Sequence, residues 1–290
     1  MAITLDSPYV NPGLPWLRGN LHTHTAASDG ALPPQEVVAA YARLGYDFLM
    51  LSDHDHFTKP SGLDRHGMVL IPGNEITAYG PHLLHVNARR FIGPDEDRQA
   101  NIDEILTDGG FAIVSHPNWL DDFNHCDQPL LEQWQDYTGI EVYNGLVRYV
   151  EGSPLATDRW DMLLTAGRRV WGYGVDDAHG ECHYGVAWTM VRSEKRLPDV
   201  VRALREGNCY ASTGAVINTI ETEGATVRVD TANGQAFHVY TAAGRCTHRA
   251  EGAALEYTVP DDFPHGYIRV EVFGPGDTMA WTQPLFVTRT

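Results

Sequence analysis

Basic residues are scarce in this 290-residue chain: 21 Lys and Arg stand against 38 Asp and Glu, a formal net charge of -17. Affinity for a phosphate backbone comes from clustered Lys and Arg, so nucleic acid is excluded as an expected partner. Cysteine is rare too. Cys126, Cys182, Cys209 and Cys246 lie far apart and form no CxxC pair, which leaves reduced thiols as the expectation. Long hydrophobic runs are missing, with nothing near the ~18 apolar residues of a membrane span. The opening MAITLDSPYVNPGLPW has no basic stretch followed by an apolar one, so a cytoplasmic protein without membrane contact is expected. Glycine-rich phosphate loops are not found, nor is a Ser-His-Asp or Cys-His arrangement for covalent catalysis.

The chain is 43% hydrophobic, enough for one large domain and a small one. FLMLSD (48–53), MVLIPG (68–73), FAIVSH (111–116), GIEVYN (139–144), VWGYGVDD (170–177) and GVAWTMV (185–191) read as buried parallel strands. Helical patterns fall between them at 33–44, 158–166 and 198–206. The first opens on Pro33-Pro34, carries Val37, Val38, Tyr41 and Leu44 as a stripe, and can stop at Gly45. Alternating strand and helix predicts an α/β fold, a distorted (β/α) barrel over residues 1–212. After Gly214 short alternating segments separated by NG, AAG, PDD and GPG turns predict a small antiparallel β-sandwich over 213–290. That domain carries no clustered ligands, and packing, lid or oligomerisation roles are assigned to it.

What the chain has in quantity is histidine, 14 in all, and several stand beside carboxylates at the ends of these runs. His22 and His24 are two apart, so on a strand both imidazoles face one side. Asp29 follows in a Ser-Asp-Gly turn, as a turn-former or a ligand. His54 sits in SDHDH directly after an apolar strand, with Asp53 and Asp55 as acceptors able to orient an imidazole. Glu75 ends the next strand, and a carboxylate can bridge two cations. His82 and His85 are three apart in PHLLHVNA, so only one of them can face the site. His116 closes FAIVSH before Pro117, and Asp177 and His179 close VWGYGVDDAH. Nitrogen and oxygen donors recurring at successive strand ends predict a polynuclear metal centre at the mouth of the barrel, and hence a hydrolase.

These motifs resemble the PHP (polymerase and histidinol phosphatase) superfamily. The likeness runs in order through LHTHTAASDG, LSDHD, GNEIT, HVNA, SHPN and DDAHG, over about 165 residues. It implies a distorted (β/α)7 barrel holding two or three divalent ions, Zn, Mn or Fe. It further implies that His22, His24, Glu75 and Asp177 surround one ion, that Glu75, His85 and His116 hold a second, and that Asp29, His54 and His179 hold a third. HVNA matches the family's His-x-Asn-Ala element, which selects His85 over His82. Some PHP phosphatases have histidine where Asp29 stands, which alters the third site. REGNCYASTG and the closing AWTQPLFV resemble the branch that contains aryl carbamate hydrolases and many unassigned phosphoesterases.

The expected chemistry is hydrolysis of a small molecule by water activated between two ions. A phosphomonoester or cyclic phosphate is the first expectation, with Asn118, Asn144 and Arg148 as donors to its oxygens and His82 or Asp55 protonating the leaving group. The alternative is a carbamate, ester or amide cleaved at the same centre, with Trp119, Tyr143 and Trp171 as candidate walls for an aromatic group. A third reading, from another class, is a catalytically silent, metal-stabilised interaction domain.

Overall fold

A computed structural model describes residues 3–289 of the chain. Its helices follow from local signals. Pro34–Arg43 starts with proline in its first turn, has Glu36 there and Arg43 in its last, and buries Val37, Val38, Ala40 and Tyr41. Gly45, at φ 77°, takes the left-handed conformation that ends it. The buried stripe packs on Leu49, Leu51, Met68 and Leu70, each fully buried Val or Leu contributing about 1.5–3 kcal/mol. Thr157–Thr165 and Leu197–Arg205 form where the apolar spacing predicts helices. Arg98–Asp108 and Gln128–Gln133 were not expected, because their apolar stripes are thin. Their boundary signals were nevertheless present: Asp97 caps Gln99 N–H, Gly109 closes the helix at φ 86°, and Asp127 caps Leu130 N–H.

Two sheets curl around one apolar core. Trp16–Asn20, Phe48–Met50 and Val69–Ile71 are parallel neighbours in the first. Gly73–Ile76, Leu83–Val86, Phe111–Val114, Gly139–Asn144 and Trp171–Val175 follow one another in the second. Leu21, Phe48, Met50, Ile71, Leu84, Ile113, Tyr173 and Val175 meet between them. The expected (β/α)7 barrel needs correction on two points. Gly73–Ile76 and Leu83–Val86 run antiparallel, as do Leu83–Val86 and Phe111–Val114. Only residues 77–82 join the first pair, too short a connection for a parallel crossover. Trp188–Arg192, also read as parallel, is antiparallel to both Trp16–Asn20 and Cys209–Ser212. Second, the ladder does not close among the described residues. The sheets touch at single bridges, Thr23 with Ala178 and His54 with Glu75.

Beyond residue 213 a three-stranded sheet of Ile217–Glu223, Thr226–Thr231 and Ala254–Thr258 faces strands that include Ala236–Thr241 and Tyr267–Phe273. Val227, Val229, Leu255, Phe237, Val239, Val270 and Val272 fill the space between. This part is continuous with the rest. Met279–Thr282 pairs with Cys209–Ser212, and Ile3–Asp6 pairs with Leu285–Arg289. Buried Gln283 exchanges two hydrogen bonds with the backbone of Gly172, at 2.7 and 2.8 Å. No helix among the described residues is long and apolar enough to cross a membrane.

Candidate metal centre

The two single bridges mark the site, since donors stand on or beside both. His22 and His24 flank Thr23 at one seam and meet Asp177 and His179, which flank Ala178. Backbone bonds lock the crossing, His24 N–H to Ala178 O at 2.8 Å and Asp177 N–H to His22 O at 2.9 Å. At the other seam His54 is bridged to Glu75 itself. Asp177 and His116 have positive φ, 53° and 28°, which costs a non-glycine residue on the order of 1–3 kcal/mol and is typical of functional sites.

Glu75 is fully buried at the centre. Its Oε1 lies 3.3 Å from His22 Nε2, 3.2 Å from His82 Nδ1 and 3.3 Å from His116 Nε2, while Oε2 lies 2.9 Å from His54 Nδ1. His22 Nε2 and His24 Nε2 are 3.1 Å apart, and each is 3.1 Å from Asp177 Oδ1. Asp29 Oδ2 lies 3.4 Å from His54 Nε2 and 3.3 Å from His179 Nε2. Donor atoms of His22, His24 and Asp177 fall within 4.8 Å of one another, as do those of His22, Glu75 and His116 and those of His24, Asp29, His54 and His179.

Hydrogen bonds on the far side of the rings set which nitrogen faces the cluster. His22 Nδ1 is taken up by Glu141 Oε1 at 2.6 Å, so Nε2 is the nitrogen left to offer a cation. His179 Nδ1 faces the carbonyl of Asp177 at 3.0 Å with the same consequence. His24 Nδ1 and His116 Nδ1 are buried without a hydrogen-bond partner. Lone pairs that converge at these distances, with orphaned buried donors around them, fit divalent cations.

The electrostatics agree with a site built around charge. Burial opposes ionisation of Glu75, yet His22, His82 and His116 hold its carboxyl well below the usual range. Burial likewise opposes charge on His22, but Asp177, Glu75 and Glu141 hold it well above the usual imidazole range. Asp177 is lowered in the same way against its burial, by His22, His24 and His116.

Several expected site residues are placed elsewhere. His85 is not with the others. Glu75 pairs with Leu84, so Leu84 shares its inward face and His85 points out, where its Nε2 is 3.5 Å from Asp108. Burial lowers the His85 pKa to about 4 despite Asp108. The pleat puts His82 at the cluster in its place. Asp55 accepts from Thr77 N–H, Thr77 Oγ1 and Ala78 N–H, which fastens a turn, and it does not line the cavity beside the cluster. Asp53, considered as an imidazole acceptor, binds Thr25, Ser28 and Thr58 instead.

None of the three expected phosphate donors faces the cavity. Asn118 donates to Leu155 O and Asp158, and accepts from Arg159. Asn144 donates to Glu141 at 2.9 Å and Asp177 at 3.1 Å, so it orients carboxylates. Arg148 is exposed and absent from the cavity wall. Tyr143 packs on Trp281 and Trp171 against Phe286, which leaves Trp119 as the aromatic wall.

No family model matches the sequence, and no curated protein matches it. Among solved structures, a two-domain protein from Bacteroides vulgatus containing a predicted PHP-like metal-dependent phosphoesterase aligns with 98% of this chain and 90% of its own, at 18% identity and a TM-score of 0.58. The fold is the PHP-like two-domain fold. An amidohydrolase from Chromobacterium violaceum, solved with bound sulfate and no metal, aligns with 56% of this chain and 87% of its own, at 16% identity and a TM-score of 0.43.

Two residues of this cluster were missed in the sequence. Glu141 joins His22, the His116 N–H at 2.7 Å and Asn144 in one buried network. Its signal was a charge inside GIEVYN, every residue of which is buried. His125 groups with His82 and His116, and its Nε2 accepts from the His82 N–H at 3.1 Å. It arrives on a long loop and had no spacing to announce it.

Proposed function

We propose that this protein is a metal-dependent hydrolase of small molecules, with a phosphoester as substrate. The observation that carries the reading is the convergence of imidazole and carboxylate lone pairs on Glu75, in a cavity open to solvent. His22, His24 and Asp177 with Glu75 would hold one ion, Glu75 with His116 and His82 a second, and Asp29, His54 and His179 a third. Bound divalent ions supply Lewis acidity toward the substrate oxygen and lower the pKa of water.

The protein's own part is orientation. Glu141 and the Asp177 carbonyl present His22 and His179 by Nε2, and Asn144 holds Asp177 in place. Glu75 reaches both seams, so it fixes the spacing between the groups. His82 lines the cavity and is the remaining candidate to protonate a leaving group if it does not serve as a ligand.

The phosphoester reading draws support from the Bacteroides vulgatus protein, whose description names that class. A second reading, hydrolysis of a carbamate, ester or amide, is favoured by one specific observation: no Lys or Arg lines the cavity. Phenyl phosphate and phenyl N-methylcarbamate, assayed side by side with Mn- or Zn-loaded protein and with His116→Ala, separate the two. Phosphate release lost in the variant supports the first reading. Carbamate cleavage alone replaces it with the second. A full metal complement with turnover of neither leaves the silent interaction domain.

A further inference from the structure

A second hollow, about 430 Å³, opens on the surface where Lys59, Arg89 and Arg90 meet Phe57 and Phe91. None of these residues lines the cavity beside the candidate ions. Three of the chain's 21 basic residues thus share one depression in a protein whose net charge is -17. We infer that this hollow is a binding site for a small polyanion that carries a flat ring, of the nucleoside diphosphate class. The inference goes beyond the hydrolase reading, because it uses none of the candidate metal ligands.

The cations there have donors to spare. Of the two lysines in the sequence, Lys195 is paired with Asp47 at 2.8 Å, whereas Lys59 is exposed and unpaired among the described residues. Arg90 lies 3.7 Å from Asp108 and 3.8 Å from Glu104, beyond hydrogen-bond reach of either. Arg89 rests its guanidinium against Gly109, at the C-terminal end of Arg98–Asp108, where a Cβ would stand 3.0 Å from it. That position suits a cation but leaves its N–H donors open. Asp55, the carboxylate in the lining, is already filled by Thr77 and Ala78. In the hollow beside Arg269, by contrast, the guanidinium is taken up by Asp161 and Glu271.

Both walls are fixed by backbone bonds. Asp55 N–H donates to Glu75 O at 2.8 Å on one side. On the other, Ala88 N–H donates to Pro72 O at 2.8 Å and Arg89 N–H to Asp108 Oδ2 at 2.6 Å. Walls set before the ligand arrives lose less entropy when it binds. Phosphate oxygens match the ammonium of Lys59 and the planar forks of the two arginines. Phe91, 44% exposed, and partly buried Phe57 offer ring faces to a base. A neutral ligand would leave the cations unanswered, and a bare inorganic anion would leave the rings in water.

Calorimetry with α,β-methylene-ADP, which resists cleavage between its phosphorus atoms, tests the site on metal-loaded protein and in parallel on metal-free protein. Binding of similar strength is expected in both forms, since the hollow uses no ion. Lys59→Gln and, separately, Arg89→Gln should weaken it about tenfold or more, the size expected for losing a hydrogen bond to a charged group. Phe91→Ala should weaken it as well. All three side chains are exposed, so the variants keep the fold. Absence of binding, or binding confined to the metal-loaded form and intact in Lys59→Gln and Arg89→Gln, overturns the second site. Affinity unchanged in Phe91→Ala overturns the nucleotide class. None of these outcomes touches the hydrolase reading, which stands or falls on turnover.

Discussion

Glu141→Gln tests whether the buried network behind the cluster sets its affinity for metal. The carboxylate is 1% exposed and accepts from His22 Nδ1 at 2.6 Å, from the His116 N–H at 2.7 Å and from Asn144 at 2.9 Å. Glutamine has the same shape but only one accepting oxygen. Turned toward His116 and Asn144 it keeps two bonds and points its NH₂ at His22 Nδ1. The imidazole then relieves the donor–donor clash by moving its proton to Nε2, the nitrogen 3.1 Å from Asp177 Oδ1. That closes a lone pair meant for the cation. Loss of such an orienting partner costs about 10–100-fold in metal affinity, or ~1.4–2.8 kcal/mol. Competition of the metal-free protein for Zn²⁺ against a chromophoric chelator reads the affinity, and ¹⁵N imidazole spectra taken where His22 is neutral read the tautomer. Unchanged affinity, with His22 still protonated on Nδ1, would refute the reasoning.

Further outcomes follow from the same geometry. His82→Ala is expected to lower the number of ions retained per chain and His85→Ala to leave it unchanged, as measured by elemental analysis after dialysis; the reverse pattern would restore His85 to the site. The pKa of His22 is raised in the metal-free protein: burial opposes the charge, but Asp177, Glu75 and Glu141 outweigh it. Its proton therefore contributes stability fully below the unfolded imidazole value and loses it as pH rises through the folded one, so the gain in Tm on adding metal should grow over the window that opens above about pH 6.5. A gain that shrinks over that window contradicts the sign. Arg269 makes a bidentate pair with Asp161 at 2.8 and 2.6 Å and a third bond to Glu271, all buried. Arg269→Met strands both carboxylates and should destabilise the fold by about 3–5 kcal/mol, read from urea unfolding. A loss below about 1 kcal/mol, the range of a surface pair, would show that water reaches them.

What the sequence by itself determined was chemical type and local form. Pro34, the Val37-Val38-Tyr41 stripe and Gly45 specify a helix within their own dozen residues. The buried runs name their strands because apolar density needs no partner to be read. Donors standing after those runs pointed to a metal-binding cluster, since burying so many polar groups without a use is costly. What only the tertiary structure decided was parity and direction. His82 and His85 are alike in type and differ only in which side of a pleat they occupy. That side is set by the pairing of Glu75 with Leu84, a contact between strands. Strand direction depends on how connections close in space, so Trp188–Arg192 read as parallel and folds antiparallel. Glu141 stood unremarked inside an apolar run; its donors are His22 and His116 from two distant segments and Asn144 at the end of its own strand. Asn118 and Asn144 looked free to bind substrate until their partners were visible. Residue type is written in the chain, but which hydrogen bonds a side chain has left to offer is fixed only when distant segments have taken theirs.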